Sequence, residues 1–158
     1  MPPRVRVIGL GNPLRGDDGA GLLVAQELAG LARPGHVAVE AYEGEGVGLL
    51  SLWEGADAVW LLDALHGDGP AGVIRRFDAG ARPLPVSTRS ASTHATTVAD
   101  GIELARALGR LPRRIVLYGI EGEAFGTGEP MSVAVREAVP KVVRTVRAEV
   151  SAALAGSC

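Results

Sequence analysis

The sequence predicts an α/β fold, with a mostly parallel sheet covered by helices on both faces. Apolar runs with the length of strands alternate with helical patterns along the 158 residues. The strand candidates are almost continuously apolar, which is typical of strands buried on both faces of a parallel sheet. No internal repeat, linker or low-complexity segment divides the chain, and its length suits one domain with its own core. We therefore expect a single domain over residues 1–158, with right-handed crossovers between the parallel strands.

Strand and helix signals alternate through the first half of the chain. A short apolar run gives the first strand, and a pattern of period 3.6 that starts at Asp17 or Asp18 gives the first helix. The elements expected here are a strand over Val5–Gly9, a helix over residues 18–31, a strand over residues 36–43 and a short helix over residues 47–53.

The second half begins with the apolar run AVWLLDA, residues 58–64, a strand that ends in the acid Asp63. The next run, residues 72–78, should be antiparallel to it, because the turn HGDGPAG is too short for a crossover. The remaining expected elements are a loop over residues 79–92, a helix over residues 94–108 capped by Ser92 or Thr93 and ended by Gly109, a strand over residues 113–120, a loop, and a last helix that is capped by Ser132 and kinks or restarts at Pro140.

Composition argues against several classes of function. The formal net charge is −2 and no basic cluster stands out, so a nucleic-acid surface is not expected. No apolar run approaches the roughly 20 residues of a membrane span, and the N-terminus lacks a signal-peptide pattern. The one cysteine, Cys158, has no partner for an internal disulfide. We expect a cytoplasmic monomer that contacts neither nucleic acid nor membrane.

Polar residues that could carry chemistry follow three separate apolar runs. Asp17 and Asp18 follow the first strand, Asp63 ends the third, and His94 opens the helix after the long loop. In open α/β sheets, sites gather beyond the carboxyl ends of the strands, so these side chains are expected at one rim. Carboxylate and imidazole donors without a thiolate suit a divalent ion of the nickel or zinc type.

Each of these residues also has a simpler explanation. Asp17 and Asp18 could cap the first helix, and we favour the cap for Asp17 and the functional role for Asp18. Asp63 is harder to explain structurally, because a carboxylate inside an apolar strand is costly unless it reaches water or a partner. His66 competes with His94 as a ligand, but its glycine-rich neighbours indicate a turn tip. His36 is expected on the surface.

The glycine-rich stretch after the first strand does not fit a nucleotide-binding loop. The dinucleotide fingerprint requires a glycine where this chain has Leu14, and the Gly-Lys-Ser/Thr signature of a P-loop is absent. Two carboxylates in the loop would also repel a pyrophosphate. Nucleotide binding is therefore not expected.

Several stretches together resemble the hydrogenase maturation proteases. GLGNPLRGDDGAG resembles the N-terminal signature of that family, LLDAL its acid after the third strand, and STHATT its histidine after the long loop. YGIEGEAFGTGEPMS and VREAVPKVV resemble its closing strand, loop and helix. The resemblance covers almost the whole chain in order. It implies a three-layer α/β/α sandwich on a twisted sheet of about five strands, mostly parallel with one antiparallel strand.

This resemblance also implies an activity and a site. Members are endopeptidases that remove the C-terminal extension of the nickel–iron hydrogenase large-subunit precursor after nickel insertion. Their three metal-contacting positions correspond here to Asp18, Asp63 and His94. The nickel is supplied by the precursor, and other divalent cations could take its place in crystals. Proteolysis then acts as a checkpoint on metal loading.

Alternatives to this function remain open at the level of sequence. The metal could polarise the scissile carbonyl or activate water, it could serve only as a recognition mark, or the two acids could form an aspartic-protease-like dyad. A non-enzymatic nickel-binding chaperone of the same precursor would use the same three residues. GLGNP also opens the peptidyl-tRNA hydrolases, a distant alternative because this chain has no histidine before His36.

One stretch departs from the family pattern. Many members carry an Asp-Gly-Gly-Thr-like turn after the second strand, whereas this chain has YEGEGVG over residues 42–48, with Glu43 and Glu45 near the usual acid. If the turn contacts substrate, the departure bears on which hydrogenase is processed. A flexible turn that leads into a helix explains the same residues.

Overall fold

The protein is described here from a computed structural model, which covers residues 3–67, 69–85 and 97–156. Five strands form one sheet in the order β2-β1-β3-β5-β4. The strands are β1 (Val5–Leu10), β2 (Val37–Tyr42), β3 (Ala58–Leu65), β4 (Ile74–Asp78) and β5 (Arg114–Glu121). Every neighbouring pair is parallel except β4 and β5. The expected mostly parallel sheet with one antiparallel strand is therefore confirmed.

Helices cover both faces of the sheet. They are α1 (Ala20–Glu27), α2 (Leu49–Leu52), α3 (Val98–Ala107) and α4 (Val133–Ala155), with short 3-10 turns at Gly16–Gly19, Ala29–Leu31 and Gly46–Gly48. Helices α1 and α4 bury their apolar side chains against one face of the sheet, and α2 and α3 pack against the other. Alternate strand residues point to opposite faces, so Trp60 and Leu62 enter the first core while Val59 and Leu61 enter the second. This is the expected three-layer sandwich.

Residues 72–78 have the expected direction but not the expected neighbour. The strand β4 pairs with β5, whereas β3 lies between β1 and β5 and is buried along its whole length. The reason lies in polarity: β4 carries Arg75 and Arg76, which are exposed and suit only an edge strand.

Helices α1, α2 and α3 are shorter than the sequence predicts, and the start of α3 shows a physical reason. Helix α3 begins at Val98, because Thr97 and Asp100 form a reciprocal capping box, with backbone-to-side-chain distances of 3.2 and 2.9 Å. Thr97 is therefore the cap; the expected caps, Ser92 and Thr93, lie outside the described residues. Gly109 follows the helix with φ +68°, as a C-terminal stop requires.

Helix α4 runs through Pro140 as one continuous helix, so the chain does not restart there, and the kink that was the other expectation stays a prediction. A stripe of buried valines holds the helix on the sheet on both sides of the proline. Ser132 occupies the N-cap position but makes no capping hydrogen bond, because its hydroxyl turns to Asp17 instead.

A half-buried polar cluster joins α4 to the sheet. The Glu149 carboxylate on α4 accepts hydrogen bonds from the Trp60 indole (3.1 Å), from the Arg76 guanidinium (2.9 Å) and from the Tyr118 hydroxyl. Burial and the hydrogen bond to Glu149 raise the pKa of Tyr118 to about 12. Four elements, β3, β4, β5 and α4, thus meet at one carboxylate.

No helix in the three described ranges is long and apolar enough to cross a membrane.

Candidate active site

The loop after β1 and the start of α1 rest directly on the carboxyl ends of the strands. A methyl group added at Gly21 in α1 would lie 2.1 Å from the Leu62 carbonyl oxygen and 2.6 Å from that of Leu10. A methyl group at Gly11 would lie 1.9 Å from the Asp18 carbonyl oxygen. Only glycine allows both approaches, and they bring the turn Gly16–Gly19 to the rim at which β1 and β3 end.

Asp18 lies in this turn and is held by its own loop. The residue is 1% exposed, and its side-chain Oδ2 accepts a hydrogen bond from the Asn12 backbone N–H at 3.2 Å. The Arg15 guanidinium lies 3.4 Å from the same oxygen. The loop therefore fixes a buried carboxylate beside a cation at the end of β1.

Asp63 lies within β3, which continues two residues past it to Leu65. The residue is 3% exposed, and its side-chain Oδ1 accepts a hydrogen bond from the Ala64 N–H at 2.9 Å. The strand register sets it opposite Gly119 of β5. The structure thus places Asp63 near the carboxyl end of β3, the strand end on which the first turn of α1 rests.

His94, the third predicted ligand, lies outside the described residues. Within residues 3–67, 69–85 and 97–156, no three carboxylate, imidazole or thiol side chains come close enough together to hold a metal. The three-residue metal site therefore stays a prediction. His66 is exposed on the turn after β3, and its ring stacks on Phe125 with the centroids 4.9 Å apart. His36 is exposed, as expected.

Asp17 has a different role from the one expected. Its carboxylate caps no helix but accepts hydrogen bonds from the backbone N–H groups of Glu123 and Ala124, both at 2.9 Å, and of Ser132 at 2.7 Å. The Ser132 hydroxyl donates to the same carboxylate, with oxygen distances of 3.1 and 3.0 Å. The cap interpretation is wrong because these donors belong to a segment more than 100 residues away, which no local pattern reveals.

Glu121, at the end of β5, is a further buried carboxylate, which sequence analysis missed. It is 3% exposed and accepts a hydrogen bond from the Arg75 guanidinium at 2.7 Å and another from the Gly67 N–H at 3.0 Å. It thereby ties the turn after Asp63 to the edge strand β4. The acid follows an apolar strand just as Asp63 does, and that pattern was the available signal.

The turn YEGEGVG packs around the side chain of Tyr42. The Tyr42 hydroxyl donates to the Glu45 carbonyl oxygen at 2.7 Å, and its ring fills the space that side chains at Gly44 and Gly48 would occupy. Burial and the neighbouring Glu45 charge raise the pKa of Tyr42. The glycines therefore have a structural reason, while the Glu43 side chain remains exposed.

Residues 43–149 match the family described as hydrogenase maturation protease. The chain belongs to this family. The matched range includes Asp63 but begins after Asp18, whose surroundings are covered by comparisons with whole proteins. The hydrogenase expression/formation protein HupD of Rhodobacter capsulatus is 30% identical over 93% of this chain and 73% of its own length.

Solved structures of the family share the fold. The [NiFe] hydrogenase maturation protease HybD of Thermococcus kodakarensis is 27% identical, with a TM-score of 0.69, over 93% of this chain and 99% of that one. The hydrogenase maturating endopeptidase HybD of E. coli is 22% identical, with a TM-score of 0.73, over 95% of this chain and 93% of that one, and shows the same fold. The family assignment makes this protein a hydrolase of the peptidase class and favours that class over the distant peptidyl-tRNA hydrolase alternative.

Proposed function

We propose that this protein is the endopeptidase that removes the C-terminal extension of a nickel–iron hydrogenase large-subunit precursor once nickel is installed. Asp18, Asp63 and His94 contact the nickel that the precursor carries, so the ion belongs to the substrate. The expected occupant of the site is thus the nickel-loaded end of another protein.

The observation that carries this proposal is the pair of buried carboxylates, Asp18 and Asp63, at the ends of β1 and β3. Buried carboxylates in an apolar sheet are costly, so a binding role gives a reason for their presence. Two carboxylates with an imidazole form a donor set that accepts nickel, and membership of a hydrogenase maturation family agrees with that metal.

The reaction is hydrolysis of one peptide bond in the precursor. Water adds to the scissile carbonyl carbon, the C–N bond breaks, and the leaving nitrogen takes a proton. Asp63 or Asp18 serves as the general base that accepts the proton of the attacking water. A precursor-borne ion beside the carbonyl would stabilise the developing oxyanion.

Incubation with nickel-loaded precursor tests the proposal, with the mass of the large subunit as the readout. Wild-type protein should shorten the subunit, and Asp63→Asn should abolish cutting while keeping the fold. Asp57→Asn is the matched control, because Asp57 is exposed at the amino end of β3 and pairs with Arg4 at 3.2 Å, away from the rim. A stable complex with an uncut subunit would instead indicate a chaperone. Normal cutting by Asp63→Asn would refute the role of Asp63.

Nickel-free precursor provides a second comparison. If nickel marks the substrate, the wild-type enzyme should leave this precursor uncut. Equal cutting with and without nickel would favour an aspartic-type dyad of Asp18 and Asp63, and would remove nickel from the recognition step.

The choice between the two histidines has its own experiment. His94→Ala should abolish cutting of nickel-loaded precursor, whereas His66→Ala should leave it within about threefold of wild type, because an exposed side chain stacked on Phe125 contributes mainly surface packing. The opposite result would transfer the ligand role to the turn after β3.

A further inference from the structure

The carboxylate of Asp17 is fully buried, yet all the donors that the structure gives it are neutral groups. Three backbone N–H groups and one hydroxyl converge on its two oxygens. Hydrogen bonds to an ionised acceptor are about twice as strong as neutral ones, which is how such a charge is tolerated without a cation. The four donors therefore form an anion-binding site, and the carboxylate of Asp17 fills it.

The donors come from the two ends of one segment, residues 122–132, which joins β5 to α4. Glu123 and Ala124 lie at its start, and Ser132 lies at its end. One carboxylate thus fixes both ends of the segment. The segment also returns contacts to the loop after β1, since the Ala124 carbonyl accepts the Asp17 N–H at 2.7 Å and the Gly128 N–H donates to the Leu14 carbonyl at 2.8 Å.

Asp18 follows Asp17 in the same 3-10 turn, and no side chain caps that turn. The Asp18 N–H donates to the Arg15 carbonyl at 3.0 Å, which joins the turn to its own loop. Gly16 packs so closely on the segment that an added methyl group would lie 2.3 Å from the Ala124 carbonyl oxygen. The turn that carries Asp18 is therefore held from two sides, by its own loop and by the distant segment.

We infer that Asp17 is a positioning residue, which joins segment 122–132 to the turn Gly16–Gly19 and so fixes Asp18 at the rim. Asp17 touches no substrate in this role; it acts through its neighbour. The catalytic consequence rests on the proposed function, but the structural consequence does not. Loss of the Asp17 charge should release two regions together that lie more than 100 residues apart in the sequence.

The test uses Asp17→Asn, which has the same shape but turns an amide N–H₂ group toward N–H donors. Ser132→Ala is the milder variant, because it removes the hydroxyl and keeps the Ser132 backbone donor. Asp57→Asn is again the control. If Asp17→Asn fails to fold, Ser132→Ala carries the test alone.

Amide hydrogen exchange is the first readout and needs no substrate. Asp17→Asn should speed exchange by about tenfold or more both at residues 122–132 and at residues 15–18, while β1 and β3 keep their protection. Ser132→Ala should show a smaller change in the same two regions. Faster exchange at 122–132 with none at 15–18 would overturn the inference, because the turn would then hold without the segment.

Cutting of nickel-loaded precursor is the second readout, measured well below the melting temperature so that every variant is folded. Displacement of Asp18 should lower kcat by about 100-fold in Asp17→Asn, with a smaller change in KM. A lower melting temperature with unchanged kcat would show that Asp17 only stabilises the fold, and would overturn the inference. If wild-type protein cuts no precursor, the proposed function fails, and the exchange measurement still decides the role of Asp17.

Discussion

Replacement of Gly21 by alanine tests whether the close approach of α1 to the strand ends determines the site. The added methyl group would lie 2.1 Å from the carbonyl oxygen of Leu62, whereas ordinary van der Waals contact begins at 3.4 Å. Both partners are backbone, so no side chain can rotate away. Helix α1 must withdraw from the sheet by about 1 Å, and it carries the Asp18 turn with it.

The expected energy follows from two opposing effects. Overpacking in a dense interior costs about 1–3 kcal/mol, and a backbone contact belongs at the upper end of that range. Alanine returns about 1 kcal/mol through its higher helix propensity. The net loss in the free energy of unfolding should be about 2 kcal/mol, which lowers the melting temperature by about 4–8 °C in a domain of this size.

Thermal and urea unfolding measure this effect, and Gly30→Ala is the matched control. Gly30 has an ordinary φ, and an added methyl group there meets no atom within 4 Å. The control should be neutral or slightly stabilising. Activity on nickel-loaded precursor should fall by about 100-fold in Gly21→Ala through the shift of Asp18. If the melting temperature of Gly21→Ala equals or exceeds that of Gly30→Ala, α1 does not rest on the strand ends.

Other predictions concern the polar groups that join separate elements. Glu149→Gln should lower the free energy of unfolding by about 1–3 kcal/mol in urea, because Glu149 accepts hydrogen bonds from three side chains. Burial alone would raise the pKa of Glu149, but its hydrogen bonds to Arg76, Tyr118 and Trp60 outweigh burial and leave the pKa below its ordinary 4.5. The ionised Glu149 should therefore stabilise the fold above pH 4.5, and this stabilisation should disappear as the pH falls through the lower folded-state pKa. If the difference in free energy of unfolding between wild type and Glu149→Gln grows in acid, this prediction is wrong. Thr97→Ala should cost about 1 kcal/mol by breaking the capping box of α3, and an unchanged urea midpoint would contradict that role.

Features that depend on nearby residues were predictable from the sequence. Apolar runs gave the strands, and alternation with helices gave a parallel sheet with two covered faces. The neighbour of β4 was not predictable in the same way, because a short turn fixes the direction of a strand but not its position. The two consecutive arginines, Arg75 and Arg76, would have indicated an edge strand, because both side chains need to reach water. The start of α3 could have been found from Thr97 and Asp100, three residues apart.

The supports of the candidate site were not predictable, since they join residues far apart in the chain. Glu121 reaches Arg75 and Gly67, and Asp17 reaches Ser132. The sequence shows such acids as isolated letters after apolar runs, and the same letters fit a cap, a ligand or a buried anchor. Only the arrangement of the donors distinguishes these roles.

The paired acids after β1 illustrate how that distinction arises. Consecutive residues of a 3-10 turn point in directions about 120° apart, so Asp17 and Asp18 cannot serve the same site. Asp17 turns toward the donors of segment 122–132, and Asp18 turns toward its own loop at the rim. Because the anchor is adjacent to the proposed ligand, any movement of the segment reaches Asp18 through one peptide unit. In this protein the Asp17 carboxylate thus ties the turn that carries Asp18 to the segment between β5 and α4.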